Sequence, residues 1–146
     1  TGRTANQVQT FDAIRLFSAP LPAMQTWPSM PDPYGSGGTP TQRARAYLHT
    51  NCANCHRPGG GAPGDLDLRY TTPLASTNGC DRTPQSGDLG IANARIIAPG
   101  AAIRSVLAAR VQRRDAAAMP PLASTVVDAA GVALLTSWIN ALPDCS

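Results

Sequence analysis

The run Cys52-Ala53-Asn54-Cys55-His56 constrains this 146-residue chain more than any other feature of its sequence. It places two thiols three positions apart, with an imidazole directly after the second. On a helix, residues three and four apart share a face, so all three groups can point to one side. The fold therefore has to present this short segment to one common ligand.

The spacing C-x-x-C-H is the attachment signature of c-type haem. Two other interpretations of C-x-x-C compete with it. A structural zinc site needs a second ligand pair, and His49 is the only other His in the chain. A thioredoxin-like pair should follow a strand, whereas this run follows a helical pattern. We therefore predict one covalently attached haem c, with Cys52 and Cys55 bound to its vinyl groups and His56 bound to its iron.

A six-coordinate haem iron needs a second axial ligand opposite the His. The candidates are His49, Met24, Met30 and Met119. Met119 is predicted, because two prolines follow it and a stiff loop can hold a weak thioether ligand in place. Met30, which also precedes a proline, is the second choice, through an N-terminal strap.

The ligand pair bears on function, since His/Met ligation closes both axial positions of the iron. A closed iron favours single-electron transfer over catalysis, so we expect an electron-transfer protein, or such a domain of an oxidoreductase, rather than an enzyme. The alternative is a haem with an open distal site that binds small ligands or peroxide.

Two further contacts of a haem can be anticipated. A ligating His usually donates its other ring N–H to a carbonyl, and the loop after His56 offers that of Pro63 or a neighbour. The haem propionates need cationic donors, although any single Arg is expected to be a solvated surface residue. The candidate donors are Arg57, Arg95, Arg104, Arg110, Arg113 and Arg114.

The remaining cysteines, Cys80 and Cys145, form either a disulfide or two free buried thiols. The even count, once the haem pair is set aside, favours the bond. The oxidising compartment in which haem is normally attached also favours it. We predict a Cys80–Cys145 disulfide and a periplasmic or secreted protein whose targeting segment is absent from this sequence.

The charge of the chain limits the classes of partner. Charged residues make up 14% of the sequence, and they comprise twelve Arg and nine Asp, with neither Lys nor Glu. A net charge of +3 with scattered Arg does not indicate nucleic acid, and no apolar run is long enough for a membrane span. The predicted partner is a redox protein.

Composition divides the chain into an extension, residues 1–39, and a haem domain, residues 40–146. The extension is expected to hold one short helix within residues 4–17, followed by a Pro-rich linker. Thr39-Pro40-Thr41-Gln42 predicts a capping box that starts the haem-bearing helix.

Periodicity predicts the rest of the haem domain. Residues 65–98 are expected to be irregular, and a second helix is expected to follow Pro99-Gly100. A last helix should start at an Asp128 cap and end before Pro143. The apolar positions of the second helix are Ile103, Val106, Leu107 and Val111, and those of the last are Val132, Leu135, Ile139 and Leu142. The predicted fold class is all-α.

The motif, the downstream Met119-Pro120-Pro121 and a closing helix with Trp138-Ile139 resemble a class I cytochrome c domain over residues 40–142. The resemblance implies a few helices wrapped around one haem, with His56 as the proximal ligand and Met119 as the distal one. It also implies that the first and last helices of the domain cross, so that Ala44 and Leu48 meet Leu135 and Trp138.

Residues 2–7 (GRTANQ) and 87–90 (GDLG) resemble cytochrome domains of bacterial secreted proteins associated with quinone-dependent dehydrogenases. This resemblance implies a dehydrogenase or an upstream domain as the redox partner. The chain departs from small class I cytochromes in two ways. Its segment 65–98 is longer, and it has no Lys to form a lysine-based docking surface at the haem edge.

Overall fold

The computed structural model describes residues 4–122 and 124–146, so the first three residues of the predicted extension, Gly2 and Arg3 among them, lie outside it. The helices are α1 (Gln7–Ala13), α2 (Pro40–Asn51), α3 (Val106–Val111) and α4 (Ala129–Ala141). Among the described residues there is no strand, only two isolated bridges that pair Cys80 with Ile97 and Arg95 with Ser105. The all-α prediction is confirmed. None of these helices is long and apolar enough to cross a membrane.

The start of α2 follows from local chemistry. The Thr39 hydroxyl accepts a hydrogen bond from the Gln42 N–H at 3.1 Å, and the Gln42 side chain accepts one from the Thr39 N–H at 2.8 Å. This reciprocal pair satisfies two N–H groups that a helix end leaves without partners. The predicted capping box is confirmed, with Pro40 as the first helical residue.

Helix α4 begins and ends as predicted. The Asp128 carboxylate accepts a hydrogen bond from the Gly131 N–H at 3.0 Å, and the helix ends at Ala141, ahead of Pro143. Helix α4 packs against α2 and α3. The four residues expected at the α2–α4 crossing all belong to one buried core cluster: Ala44, Leu48, Leu135 and Trp138.

The second helix is shorter than predicted. A 3₁₀ turn, Ala102–Arg104, precedes it, and α3 starts only at Val106. The turn changes the angular spacing of side chains, so Ile103 does not join the inner face of α3 and is 87% exposed. Its assignment to the apolar stripe was wrong. Val106, Leu107 and Val111 are buried as expected.

The segment 65–98 is irregular, as predicted, apart from a 3₁₀ turn, Leu74–Ser76. It is tied to the C-terminus by the predicted Cys80–Cys145 disulfide, which the structure confirms, with 5.7 Å between the two α-carbons. A bond across 65 positions restricts the unfolded chain strongly. An oxidising compartment is where such bonds persist.

The N-terminal extension contains α1, which is shorter than the 4–17 stretch and buries none of its residues. Contact with the rest of the chain comes later, around Tyr34. The Tyr34 hydroxyl donates to the Asp128 carboxylate, and its ring meets that of Tyr47 edge-on, with centroids 6.3 Å apart. Tyr34 therefore links residues 31–38 to Tyr47 of α2 and to the Asp128 cap of α4.

Candidate functional site

A cavity of about 280 Å³ lies beside the C-terminal end of α2. That volume is close to the ~300 Å³ at which small-molecule and cofactor pockets begin. Its wall consists of the turn after α2, the loops 61–66 and 84–87, the inner face of α3 and the loop 119–121. Most of the lining is apolar, including Leu66, Leu68, Ile96, Val106, Leu107 and Val111.

Four of the residues predicted for the haem site line this one cavity: Cys52, Cys55, His56 and Met119. They come from two segments more than sixty positions apart in the sequence, and α3 lies between those segments along the chain. The fold thus brings two thiols, an imidazole and a thioether to the same apolar space.

The C-x-x-C-H run does not lie on the helix itself, contrary to the prediction. Helix α2 ends at Asn51 because the Leu48 carbonyl accepts from both Cys52 N–H and Ala53 N–H, at 2.9 and 3.2 Å. This shared acceptor ends the regular helical hydrogen-bond ladder. The Cys52 carbonyl then accepts from Cys55 N–H and His56 N–H, at 3.1 and 2.9 Å. A separate turn therefore keeps the three groups together.

The two thiols differ in their surroundings. Cys55 is exposed, whereas Cys52 is partly covered and packs against the core cluster. Burial, with a smaller contribution from negative charge on Cys55, raises the pKa of the Cys52 thiol to about 12. Reactive cysteines of thioredoxin-like pairs instead have lowered pKa values, which make the thiolate available. The environment of Cys52 argues against that chemistry.

The imidazole of His56 is half-buried, and burial lowers the pKa of the ring below its usual value. A neutral imidazole is the form that binds a metal. Its Nδ1 atom is buried and has no hydrogen-bond partner among the described residues. The hydrogen bond predicted to Pro63 or a neighbour is therefore not formed at this atom, although Pro63 lines the cavity.

Met119 is half-buried, and its backbone N–H donates to the Arg110 carbonyl at 3.1 Å. The other candidates for the second ligand lie elsewhere. Met24 and Met30 are exposed and do not line the cavity. His49 is also outside the lining, and its Nδ1 accepts the Tyr70 N–H at 3.1 Å. Of the four candidates, Met119 alone shares the cavity with His56.

The arginines predicted as possible propionate donors also divide into those that line the cavity and those that do not. Only Arg110 lines the cavity. The remaining five point to other partners: Arg57 to the Asn54 carbonyl, Arg95 to Asp81, Arg104 to the Asn93 carbonyl, Arg113 to Asp115 and Arg114 to the Val126 carbonyl. The cavity wall therefore carries little charge, with Arg110 and Asp65 as its charged residues.

The donor set fits a haem better than a bare metal ion. In the described part of the chain, no group of three or more His, Cys, Asp or Glu side chains is arranged to hold an ion. One imidazole and one thioether are too few donors for a bare ion, but they would suffice where a macrocycle supplied the remaining ligands. The unpartnered Nδ1 of His56 and the apolar walls are consistent with a flat, largely apolar group in this cavity.

Sequence reasoning missed one wall of the cavity, the loop 84–87. Ser86-Gly87 was recognisable as a turn, and Gly87 adopts a positive φ of 87°. Nothing local indicated that this turn would face Met119, because the two meet only through tertiary packing. Comparison with protein-family models, curated proteins and solved structures finds no match to the chain. Function has to be inferred from the cavity residues themselves.

Proposed function

We propose that the chain is a monohaem c-type cytochrome domain of class I that transfers single electrons. Cys52 and Cys55 would hold the haem through thioether bonds, and His56 and Met119 would be its axial ligands. The observation that carries the proposal is that these four side chains, separated in sequence, line one apolar cavity. A bound haem iron supplies the redox chemistry by taking up and releasing one electron.

The chain's own residues would set the conditions for that chemistry. The apolar side chains of the wall would limit the access of water to a bound haem. Met119 would keep the distal position closed, since its loop is held to α3 by the hydrogen bond to the Arg110 carbonyl. A closed site leaves no position for oxygen or peroxide, which supports electron transfer rather than catalysis.

The disulfide supports a place outside the cytoplasm for this activity, in the periplasm or as a secreted protein. The partner would be another redox protein, with a quinone-dependent dehydrogenase or an upstream domain as the candidates. Arg69, Arg95 and Arg113 are each paired with a carboxylate, which reduces the positive charge that these arginines would offer to an acidic partner.

The test is expression with a haem-maturation system, followed by absorption spectra of the oxidised and reduced protein. We expect c-type haem bands from a pigment that acid–organic extraction leaves on the polypeptide. A weak red-end sulfur-to-iron band should vanish in Met119→Ala and persist in Met30→Ala, the matched control for an exposed methionine. A colourless or extractable product would overturn the proposal.

Carbon monoxide separates the proposal from the alternative of an open distal site. The native reduced protein should resist carbon monoxide, and Met119→Ala should bind it. If the native protein binds it as readily as the variant, the distal position is open. A ligand-binding or peroxide-reactive haem protein would then replace the electron carrier.

A further inference from the structure

We propose that Arg110 is a positioning residue that holds Met119 in place by joining two loops of the cavity wall, the loop 84–87 and the loop that carries Met119. The inference rests on the proposed function, because it concerns how the distal ligand is kept on the iron. It does not follow from the ligand set itself, and it gives Arg110 a role other than pairing with a propionate.

Three hydrogen bonds of Arg110 carry the inference. Nη1 donates to the Ala117 carbonyl at 3.1 Å, and Nη2 donates to the Ser86 carbonyl at 2.7 Å. The backbone carbonyl of Arg110 accepts the Met119 N–H at 3.1 Å. One residue of α3 is thus bonded to the loop that carries Met119 and to the loop 84–87.

Neither loop has regular structure of its own. The segment between α3 and α4 is irregular in its described part, residues 112–122 and 124–128, and so are residues 77–101 apart from isolated bridges. The other hydrogen bonds near Met119 are local, such as that from the Ala118 N–H to the Asp115 carbonyl at 2.9 Å. Arg110 therefore connects the Met119 loop to the loop 84–87 and to α3.

The chemistry of the link requires arginine. A guanidinium is a planar fork that can donate to two acceptors in different directions at once, and it keeps its charge when partly buried. A lysine ammonium is a single nitrogen at the end of a flexible four-carbon stem, so it cannot place two separate donor nitrogens against the two carbonyls as Arg110 does. Charged donors form stronger hydrogen bonds than neutral ones, so losing this fork releases both loops.

Exogenous imidazole provides the test, since it competes with Met119 for the ferric iron of the holoprotein. We expect Arg110→Gln and Arg110→Lys each to increase the affinity for imidazole about tenfold or more. The reason is that the Met119 thioether, on a loop that is held less firmly, would dissociate from the iron more readily. Arg104→Gln is the matched control. It removes an exposed arginine of the same region, bonded to the Asn93 carbonyl and outside the cavity lining, and should leave the affinity unchanged.

The outcomes separate this inference from the proposed function. Imidazole affinities within about twofold of the native value in both Arg110 variants would overturn the positioning role, even if the variants melt at lower temperature. An increase in Arg110→Gln that Arg110→Lys abolishes would assign the effect to charge, as for a propionate partner, and would also overturn it. Native protein without attached haem or without the sulfur-to-iron band would instead refute the proposed function.

Discussion

Gly131 of α4 lies directly against the ring of Tyr47 of α2: a β-carbon built on Gly131 would come within 2.4 Å of two ring carbons. Tyr47 is 7% exposed, so its ring has little room to move away. We expect Gly131→Ala to destabilise the protein by about 1–2 kcal/mol in chemical denaturation. Overpacking costs about 1–3 kcal/mol, and the better helix propensity of alanine offsets up to about 1 kcal/mol of that.

A second background tests whether the ring is responsible. In Tyr47→Leu, the smaller side chain should relieve the clash, so adding Gly131→Ala should cost less than in the native background or should stabilise α4. If Gly131→Ala is as stable as the native protein, or costs the same in both backgrounds, the close approach of the two helices does not restrict this position.

The hydrogen bond from Tyr34 to Asp128 attaches the N-terminal extension to the rest of the chain. Burial and the neighbouring Asp128 carboxylate raise the pKa of Tyr34 to about 12, so the hydroxyl keeps its proton at neutral pH. We expect Tyr34→Phe to speed amide hydrogen exchange in residues 31–38 and to lower stability by about 0.5–1.5 kcal/mol. Exchange measured by mass spectrometry checks this.

Asp128 also caps α4, which supplies the control for Tyr34→Phe. The variant leaves the hydrogen bond from the Gly131 N–H to Asp128 intact, so exchange within α4 should be nearly unchanged. If amide exchange became faster by the same factor in α4 and in residues 31–38, Tyr34 would stabilise the helix rather than attach the extension.

The features that sequence predicted well are those set by neighbouring residues. The caps at Thr39 and Asp128 depend on side chains within three positions, so both helix starts were predicted correctly. The cysteine pair could be predicted by elimination, because only two cysteines were left outside the C-x-x-C-H run. The placement of Met119 opposite the run remains a prediction about ligation, although both line the same cavity.

The features that sequence missed depend on contacts between distant segments. Ile103 fits the period of α3, but the first N–H groups of α3, those of Val106 and Leu107, donate to the Arg95 and Ile96 carbonyls at 2.8 and 3.0 Å instead of to the preceding turn. Gly131 gave a weak signal, since glycine inside a helical pattern often marks close packing. Nothing in the sequence indicated that Ser86 and Ala117 would share Arg110.

The surroundings of Asp67 predict how the stability of the protein changes at acidic pH. Its buried carboxylate accepts hydrogen bonds from the Arg69 side chain, at 2.6 Å for the shortest, and from the Thr72 hydroxyl at 2.9 Å. Chiefly through the Arg69 side chain, these contacts lower the pKa of Asp67 well below its usual value. We expect Asp67→Asn to destabilise the protein by about 1–3 kcal/mol at neutral pH.

The pH dependence has a definite sign. A carboxylate whose pKa is depressed on folding contributes stability above its unfolded pKa, about 3.9, and loses it as the pH falls towards the folded value. The difference between native protein and Asp67→Asn should therefore be constant above about pH 5 and should shrink below about pH 4. Asp12→Asn is the control, because that carboxylate is exposed and accepts no hydrogen bond or ion pair from the described residues. A difference that stays constant down to pH 2 would contradict the role given to Asp67.

The Cys80–Cys145 disulfide should be a major contributor to stability. It closes a loop across 65 positions, for which the chain-entropy relation gives about 4 kcal/mol. Replacing both cysteines with serine should lower the free energy of unfolding by about 2–4 kcal/mol in urea denaturation of the holoprotein. Replacing both leaves no unpaired thiol at this site that could form new bonds.

The same substitution distinguishes a stabilising bond from one needed to form the cavity. Two backbone hydrogen bonds join the segments before and after the loop 84–87: the Gly79 carbonyl accepts the Ile97 N–H at 3.0 Å, and the Asp81 N–H donates to the Ile97 carbonyl at 2.8 Å. Neither bond requires the sulfurs. We therefore expect the haem bands and the sulfur-to-iron band of the double-serine variant to match those of the native protein at low temperature. Loss of that band in folded protein would mean that the disulfide itself holds the cavity wall. A stability loss below about 1 kcal/mol would mean that the unfolded chain gains little freedom without it.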